Sequence, residues 1–298
     1  MTNLISAPKG KGAATRPSKH SKLSKVSLKH VGLVFFGFLM LYPLLWMLKS
    51  SFTPEGDIFD SFGLLPGELT FENYVKGWSS GEGVGFTGYF LNTILIVVGS
   101  LVGNLLSCSL AAYAFARLEF RLKTTFFGLM LAGIMLPYHV VAIPQYIMFS
   151  STGLVGTTFL PLIIPKILAV DAFFIFLMVQ FLRGIPRELD EAASIDGAGP
   201  FRTFWSVILP LMKPALITTT IFTFIWTWND FFSPLIYLTV PESYTVSLGL
   251  NSLVDSQTSA GLGPLFAMSV ITLIPVFLFF VFAQKHIVQG IATTGSKG

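Results

Sequence analysis

Apolar residues gather into six runs, near positions 30–48, 89–115, 124–148, 158–182, 215–238 and 264–284, with more polar stretches between them. Crossing a hydrocarbon layer as a helix takes about 20 mostly apolar residues, and the runs match that length. The pattern predicts an all-α membrane protein with six transmembrane helices. Pro43, Pro137, Pro144, Pro161, Pro165, Pro234 and Pro275 fall inside the runs. Several of these helices should therefore be kinked, with neighbouring helices satisfying the freed carbonyls. No repeat with a period of roughly 20–50 residues is visible, nor a match between two halves of the kind many carriers show.

The connecting segments differ in charge, and that difference orients the chain. Arg117-Leu118-Glu119-Phe120-Arg121-Leu122-Lys123 joins the second and third runs, and segment 183–214 adds Arg187, Arg202 and Lys213. Residues 51–88 instead carry Glu55, Asp57, Asp60, Glu68, Glu72 and Glu82 against Lys76, and residues 240–262 carry Glu242 and Asp255. Lys and Arg collect in cytoplasmic loops. Both termini are thus expected in the cytoplasm, as an even number of spans requires. The expected divisions are a basic, unstructured arm over 1–27, a first helix with an acidic outer loop over 28–86, a membrane core over 87–285 and a cytoplasmic tail over 286–298.

Composition agrees with this picture. Of 298 residues 53% are hydrophobic and 11% charged, and the mean hydropathy is +0.72. Soluble domains carry about 25% charged residues, so lipid must act as solvent for much of this surface. Cys108 has no second cysteine to pair with, which excludes a disulfide framework. The arm holds Lys9, Lys11, Arg16, Lys19, Lys22 and Lys25 without an acid. It reads as a topogenic tail touching anionic lipid, with no nucleic acid as partner. The apolar run after it is too long for a cleavable signal, and no small-x-small site follows.

Segment 183–214 is too long and too patterned for a mere connector. Pro186 suits a first helical turn, and Glu188, Asp190 and Glu191 follow where the helix dipole favours acids. Leu189, Ala192 and Ala193 would form one small apolar face, and Gly197 should end the helix at positive φ. Gly199-Pro200 announces a second helix, whose Phe201, Phe204, Trp205 and Ile208 fall on one stripe suited to an interface or a membrane surface. Pro210 and Pro214 end it. Two short helices joined by a glycine elbow, with small side chains exposed, have the build of a docking knob.

Glu191-Ala192-Ala193, three residues, Gly197, nine residues, then Val207-Ile208-Leu209-Pro210 resembles the EAA loop of ABC importer permeases. Val207 replaces the usual Ile. Trp228-Asn229-Asp230-Phe231 with Pro234-Leu235 is similar to the fifth span of the carbohydrate-uptake branch, the subunits related to the maltose permease protein MalG. Gln284-Lys285-His286, Gly290 and Thr294-Gly295-Ser296-Lys297-Gly298 look like that branch's ending, with Ser296 as a departure. The resemblance covers residues 28–298.

It implies a type I ABC importer permease (MetI-like) fold, with 183–214 as the coupling loop. Glu191 would pair with a cation on an ATPase subunit, Ala192 and Ala193 would permit close approach, and Asp196, Gly197, Leu209 and Pro210 would shape the loop. The implied partners are two ATP-binding subunits carrying ATP and Mg, a second permease subunit and an extracytoplasmic solute-binding protein. This sequence has no G-x-x-x-x-G-K-[ST] phosphate loop, so the ATP chemistry would be borrowed and the chain itself would not be an enzyme.

Polar residues at membrane depth are candidates for a substrate path. Asp171 lies roughly 17 Å from the cytoplasmic end of the fourth run, near mid-bilayer, and would face a cavity or a partner chain. Asn229 and Asp230 lie nearer the outer face, as structural hydrogen-bonding groups or as sugar contacts. Lys166 is expected to snorkel outward without a role. His20, His30, His139 and His286 are scattered, so no metal site is indicated. The leading reading is a permease for a sugar or oligosaccharide. An ABC permease for a sugar phosphate or polyol, or an ion-coupled carrier, stays open at this point.

Overall fold

A computed structural model of the chain describes residues 19–60, 63–65, 67–80, 84–255 and 261–295, with side chains over 29–60, 63–65, 67–80, 84–254 and 261–284. Helix α1 is Lys19–Ser51, α2 is Glu72–Ser79 and α3 is Gly85–Arg117. Next come α4, Lys123–Ile134, and α5, Tyr138–Ser151. The fourth run holds α6, Leu160–Ile167, and α7, Ala172–Arg183. Segment 183–214 contains α8, Glu188–Ile195, then α9, Pro200–Thr203, a π-helical turn, Phe204–Ile208, and α10, Leu209–Leu211. The remainder is α11, Lys213–Trp228, α12, Phe232–Tyr237, α13, Val246–Asp255, and α14, Leu262–Gly295. Among the described residues, extended pairing is confined to an isolated bridge between Gly156 and Leu238.

Four segments are long and apolar enough to cross a membrane: Lys29–Ser51, Gly85–Arg117, Leu160–Arg183 and Leu262–Gln284. The third expected span is a bent pair instead, with α4 and α5 at 104°. Its bend follows from Pro137, which sits in an extended conformation (φ −60°, ψ 133°) and biases the residue before it away from helix. A second bent pair, Pro200–Leu211 with Lys213–Trp228, turns by 76° between Pro210 and Pro214. Helix α11 ends at Trp228, so the run expected over 215–238 is interrupted at Asn229. The first helix starts at Lys19, within the arm expected to be unstructured. Residues 1–18 of that arm lie outside the described residues. Short helices α2 and α13 also occupy the outer segments read only as acidic loops.

Helix α3 is the axis of the bundle. It packs against α6, α7, α11 and α13, while α1 lies outside on α14. Leu33, Phe36 and Met40 of α1 are 74%, 62% and 72% exposed, which is untenable in water over such an area and ordinary against lipid. Membrane helices gain little hydrophobic drive from meeting each other, so their contacts depend on close backbone approach at small residues. Gly103 provides one such contact. A Cβ there would lie 3.0 Å from the carbonyl carbon of Lys166 and 3.0 Å from the backbone nitrogen of Ile167. At the end opposite the elbow, the Asn73 amide donates to the Ser51 and Thr53 carbonyls at 3.1 and 2.8 Å, tying α2 to the end of α1.

Replacing Gly103 with Leu should push α6 off α3 and destabilise the protein by about 1–3 kcal/mol, the usual range for overpacking. Gly37 of α1 has nothing within 4 Å of a built Cβ, so Gly37→Leu should be neutral. Heat-inactivation midpoints of the two purified variants test this, and equal midpoints would refute the close-approach account.

Candidate functional site

The elbow of segment 183–214 folds as its residue types dictate. Glu188, Asp190 and Glu191 occupy the first turn of α8, against the positive end of its dipole. At the other end the Ala198 N–H donates to the Ala193 carbonyl at 2.9 Å and the Gly197 N–H to Ser194 at 3.0 Å. These are the paired bonds of a Schellman turn, with Gly197 at φ +78° where a side chain would be strained. Gly199 is extended and Pro200 opens α9. Pro210 has no N–H, and the backbone ahead of it widens into the π-helical turn, with the Leu209 N–H reaching the Phe204 carbonyl.

The two expected faces of this loop are split. In α8, Ala193 is buried, whereas Ala192 is exposed and Leu189 is 40% exposed. In the second segment Phe204 and Ile208 are buried, whereas Phe201 and Trp205 are exposed. Phe204 and Ile208 join Tyr113 and Ala116 of α3 and Met178 and Leu182 of α7 in one core. Glu191, Ala192, Asp196 and Gly197 stay on the outer surface, as does Pro210, and Leu209 is half-buried.

One guanidinium fixes the elbow to the bundle. Arg117, the last residue of α3, places Nε 3.0 Å from the Asp190 carboxylate of α8, as a charge contact rather than a directed hydrogen bond. Its Nη2 donates to the Ile185 carbonyl at 2.8 Å. The Arg117 side chain is 6% exposed, so the pair is shielded from water and salt. Arg187 reaches back in the same sense, donating to the Ala116 carbonyl at 3.4 Å.

The segment Leu160–Arg183, the fourth apolar run, breaks near its middle. Ala169 adopts φ +56°, and Asp171 stands at the head of α7. Its Oδ2 accepts from Lys166 Nζ at 2.9 Å and from Asn104 Nδ2 at 2.7 Å. Asn104 is fully buried and also donates to Thr223 Oγ1 of α11 at 3.2 Å. Ser107 donates to the Lys166 carbonyl at 2.7 Å, satisfying an end group of α6. The cation therefore lies at the negative end of α6 and the acid at the positive end of α7. Lys166 does not merely snorkel, as the sequence suggested. It is the counter-ion of Asp171, because the break folds two residues together that a continuous helix would hold apart.

Asn229 and Asp230 mark a second break, after α11. The Asn229 amide donates to Ile225 at 2.8 Å, and Asp230 Oδ1 accepts from the Ser233 N–H at 3.1 Å, opening α12. Ser247 of α13 donates to the Asp230 carbonyl at 2.7 Å. Among the described residues no hydrogen bond or ion pair joins this break to Asp171. The sequence also left Asn104 and Thr223 unmarked. Their signal was available, since Asn104 is an amide within an apolar run.

Residues 96–293 match the model of the family described as binding-protein-dependent transport system inner membrane component. The chain is 32% identical over 268 residues to the diacetylchitobiose uptake system permease protein NgcG of Streptomyces coelicolor, covering 89% of this chain and 87% of that protein. It is also 32% identical over 266 residues to the galactooligosaccharides transport system permease protein GanQ of Bacillus subtilis, covering 89% and 93%. A chain of a bacterial ABC transporter involved in the import of the acidic polysaccharide alginate shares the fold, with a TM-score of 0.78 at 23% identity over 91% of this chain and 99% of that one. The chain belongs to the binding-protein-dependent transport system inner membrane component family.

Proposed function

We propose that this chain is one of two membrane-spanning subunits of an ATP-driven importer, carrying a sugar or oligosaccharide into the cell by alternating access. The observation that carries the reading is the elbow. Its outer surface presents Glu191 and Ala192 around Gly197, while its inner side is fixed to α3 and α7. A surface of that kind can receive force from a second protein and pass it into the spans. The substrate class follows from relatives named for diacetylchitobiose, galactooligosaccharides and multiple sugars.

In this reading both termini are cytoplasmic and the two bent pairs complete six spans. Basic segments 117–123 and 183–214 support that orientation. Two ATP-binding subunits hold ATP and Mg and receive the elbows of this chain and of a second, similar permease. An extracytoplasmic solute-binding protein delivers the sugar. In keeping with this, one solved relative in fold is an alginate transporter in complex with a pentasaccharide-bound periplasmic protein, with a TM-score of 0.63 at 16% identity. Glu191 pairs with a cation of the ATPase, and Ala192 keeps the outer helix surface thin enough for close approach, whereas Ala193, expected to share that role, is buried on the inner side of α8. Asp196, Leu209 and Pro210 hold the shape that Gly197 sets. Coupling requires that nucleotide and sugar each favour one of two global states, so the elbow and the substrate path must move together. Asp171 lies on that path at the break in the fourth span, and Asn229 and Asp230 at the break in the fifth.

Glu191→Arg should insert normally, lower uptake and weaken copurification of the ATPase. Full ATP-driven uptake by that variant would remove the docking role. Asp171→Leu leaves Lys166 without its counter-ion and should lower stability by about 2 kcal/mol, less than the roughly 3–5 kcal/mol of fully buried pairs. The two side chains are 29% and 25% exposed, which is the reason for the smaller figure. Asp171→Asn should lose less, and Lys166→Met with Asp171→Leu should recover stability while uptake stays impaired. Wild-type uptake in all three variants would take Asp171 off the path.

A further inference from the structure

A second feature on the elbow side is a cavity of about 500 Å³ between the ends of α3 and α7 and the start of α4. Four cations line it: Arg117, Lys123, Arg183 and Arg187, with Glu188 as the acid among them. Arg117 and Lys123 have carboxylates of their own, Asp190 at 3.0 Å and Glu119 at 3.1 Å. Among the described residues no carboxylate lies within 4.0 Å of the basic nitrogens of Arg183 or Arg187. Arg183 instead rests over the Phe127 ring, its Cζ 5.4 Å from the centroid, and Arg187 donates to a backbone carbonyl. Among the described residues, two guanidinium groups thus border the cavity without an ion-pair partner within 4.0 Å.

We infer that this cavity holds the phosphodiester headgroup of an anionic phospholipid from the leaflet on the elbow side. Depth is the first argument. Arg117 and Arg183 are the last residues of the segments Gly85–Arg117 and Leu160–Arg183, and Lys123 is the first of α4. Three span ends meeting at one level place the cavity in the headgroup layer, where basic pockets between helices receive anionic lipids. Chemistry is the second argument. Guanidinium groups bind phosphate oxygens bidentately, and a cavity of this size lies in the small-molecule range of about 300–1,000 Å³. The wall also contains Phe115, Ile185 and Pro186, and the following turn of α4 exposes Phe126 (50%) and Leu129 (63%). That apolar path suits an acyl chain and gives nothing to a free phosphate. The inference holds whatever solute the chain transports.

The test uses the complete importer, reconstituted in nanodiscs of phosphatidylcholine and phosphatidylglycerol in equal parts, then purified in mild detergent with the retained lipid quantified by mass spectrometry. The wild type should retain phosphatidylglycerol over phosphatidylcholine. Arg183→Gln with Arg187→Gln should lose about 30-fold of that preference, the equivalent of roughly 1 kcal/mol for each cation at a membrane surface. Arg183→Lys with Arg187→Lys, which keeps the charge but not the bidentate fork, should fall between the wild type and the double Gln variant, and Lys76→Gln at the opposite side should keep the wild-type preference. Washing with inorganic phosphate or glycerol phosphate should displace nothing. The proposal is overturned if the double Gln variant retains as much phosphatidylglycerol as the wild type, or if inorganic phosphate displaces the lipid. It is equally overturned if Lys76→Gln loses the preference as completely as the double Gln variant, because retention would then not depend on this cavity.

Discussion

The contact between Arg117 and Asp190 is the joint on which this molecule depends. It attaches a surface helix of eight residues to the end of a 33-residue helix through the centre of the bundle. Breaking a shielded pair by removing one partner leaves a charge that neither lipid nor core can accept, so the joint resists opening. The same guanidinium holds the Ile185 carbonyl, which fixes the start of the loop as well as its helix. Force applied at the outer surface of the elbow therefore enters α3 directly.

Helix α3 also reaches the break in the fourth apolar run. Asn104 lies thirteen residues before Arg117 in the chain, or about 20 Å along a helix. It binds Asp171 at the break of the fourth span and Thr223 on the fifth. Under the proposed function, a tilt of α3 imposed at the elbow would displace two broken helices near the middle of their segments. Breaks at membrane depth are tolerated when their free backbone groups lie in protein or against a cavity. Here Ser107 and the Lys166–Asp171 pair supply the partners.

Much of this could be read from residue order. The apolar runs located the membrane segments, and the acids of α8, Gly197 and Gly199-Pro200 located the elbow, because caps and dipoles act locally. What stayed hidden depended on distant contacts or unusual backbone. Lys166 and Asp171 are five residues apart, which in an unbroken helix points them about 140° away from each other. Only the positive φ of Ala169, which no glycine announces, brings them together. The aromatic stripe of the second segment assumed a regular period, and the π-helical turn splits it between core and surface. Pro137 signalled a kink but not a turn of 104°, since that angle depends on what α5 packs against.

The most direct test of force transmission is the number of sugar molecules imported per ATP hydrolysed by the reconstituted complex. Arg117→Met should leave the ATPase associated and hydrolysing but lower that ratio, because the elbow would move without α3. Exchanging the two charges, Arg117→Asp with Asp190→Arg, should raise the ratio back towards the wild-type value. A wild-type ratio in Arg117→Met would contradict the account, since the elbow would then reach the membrane core by another route.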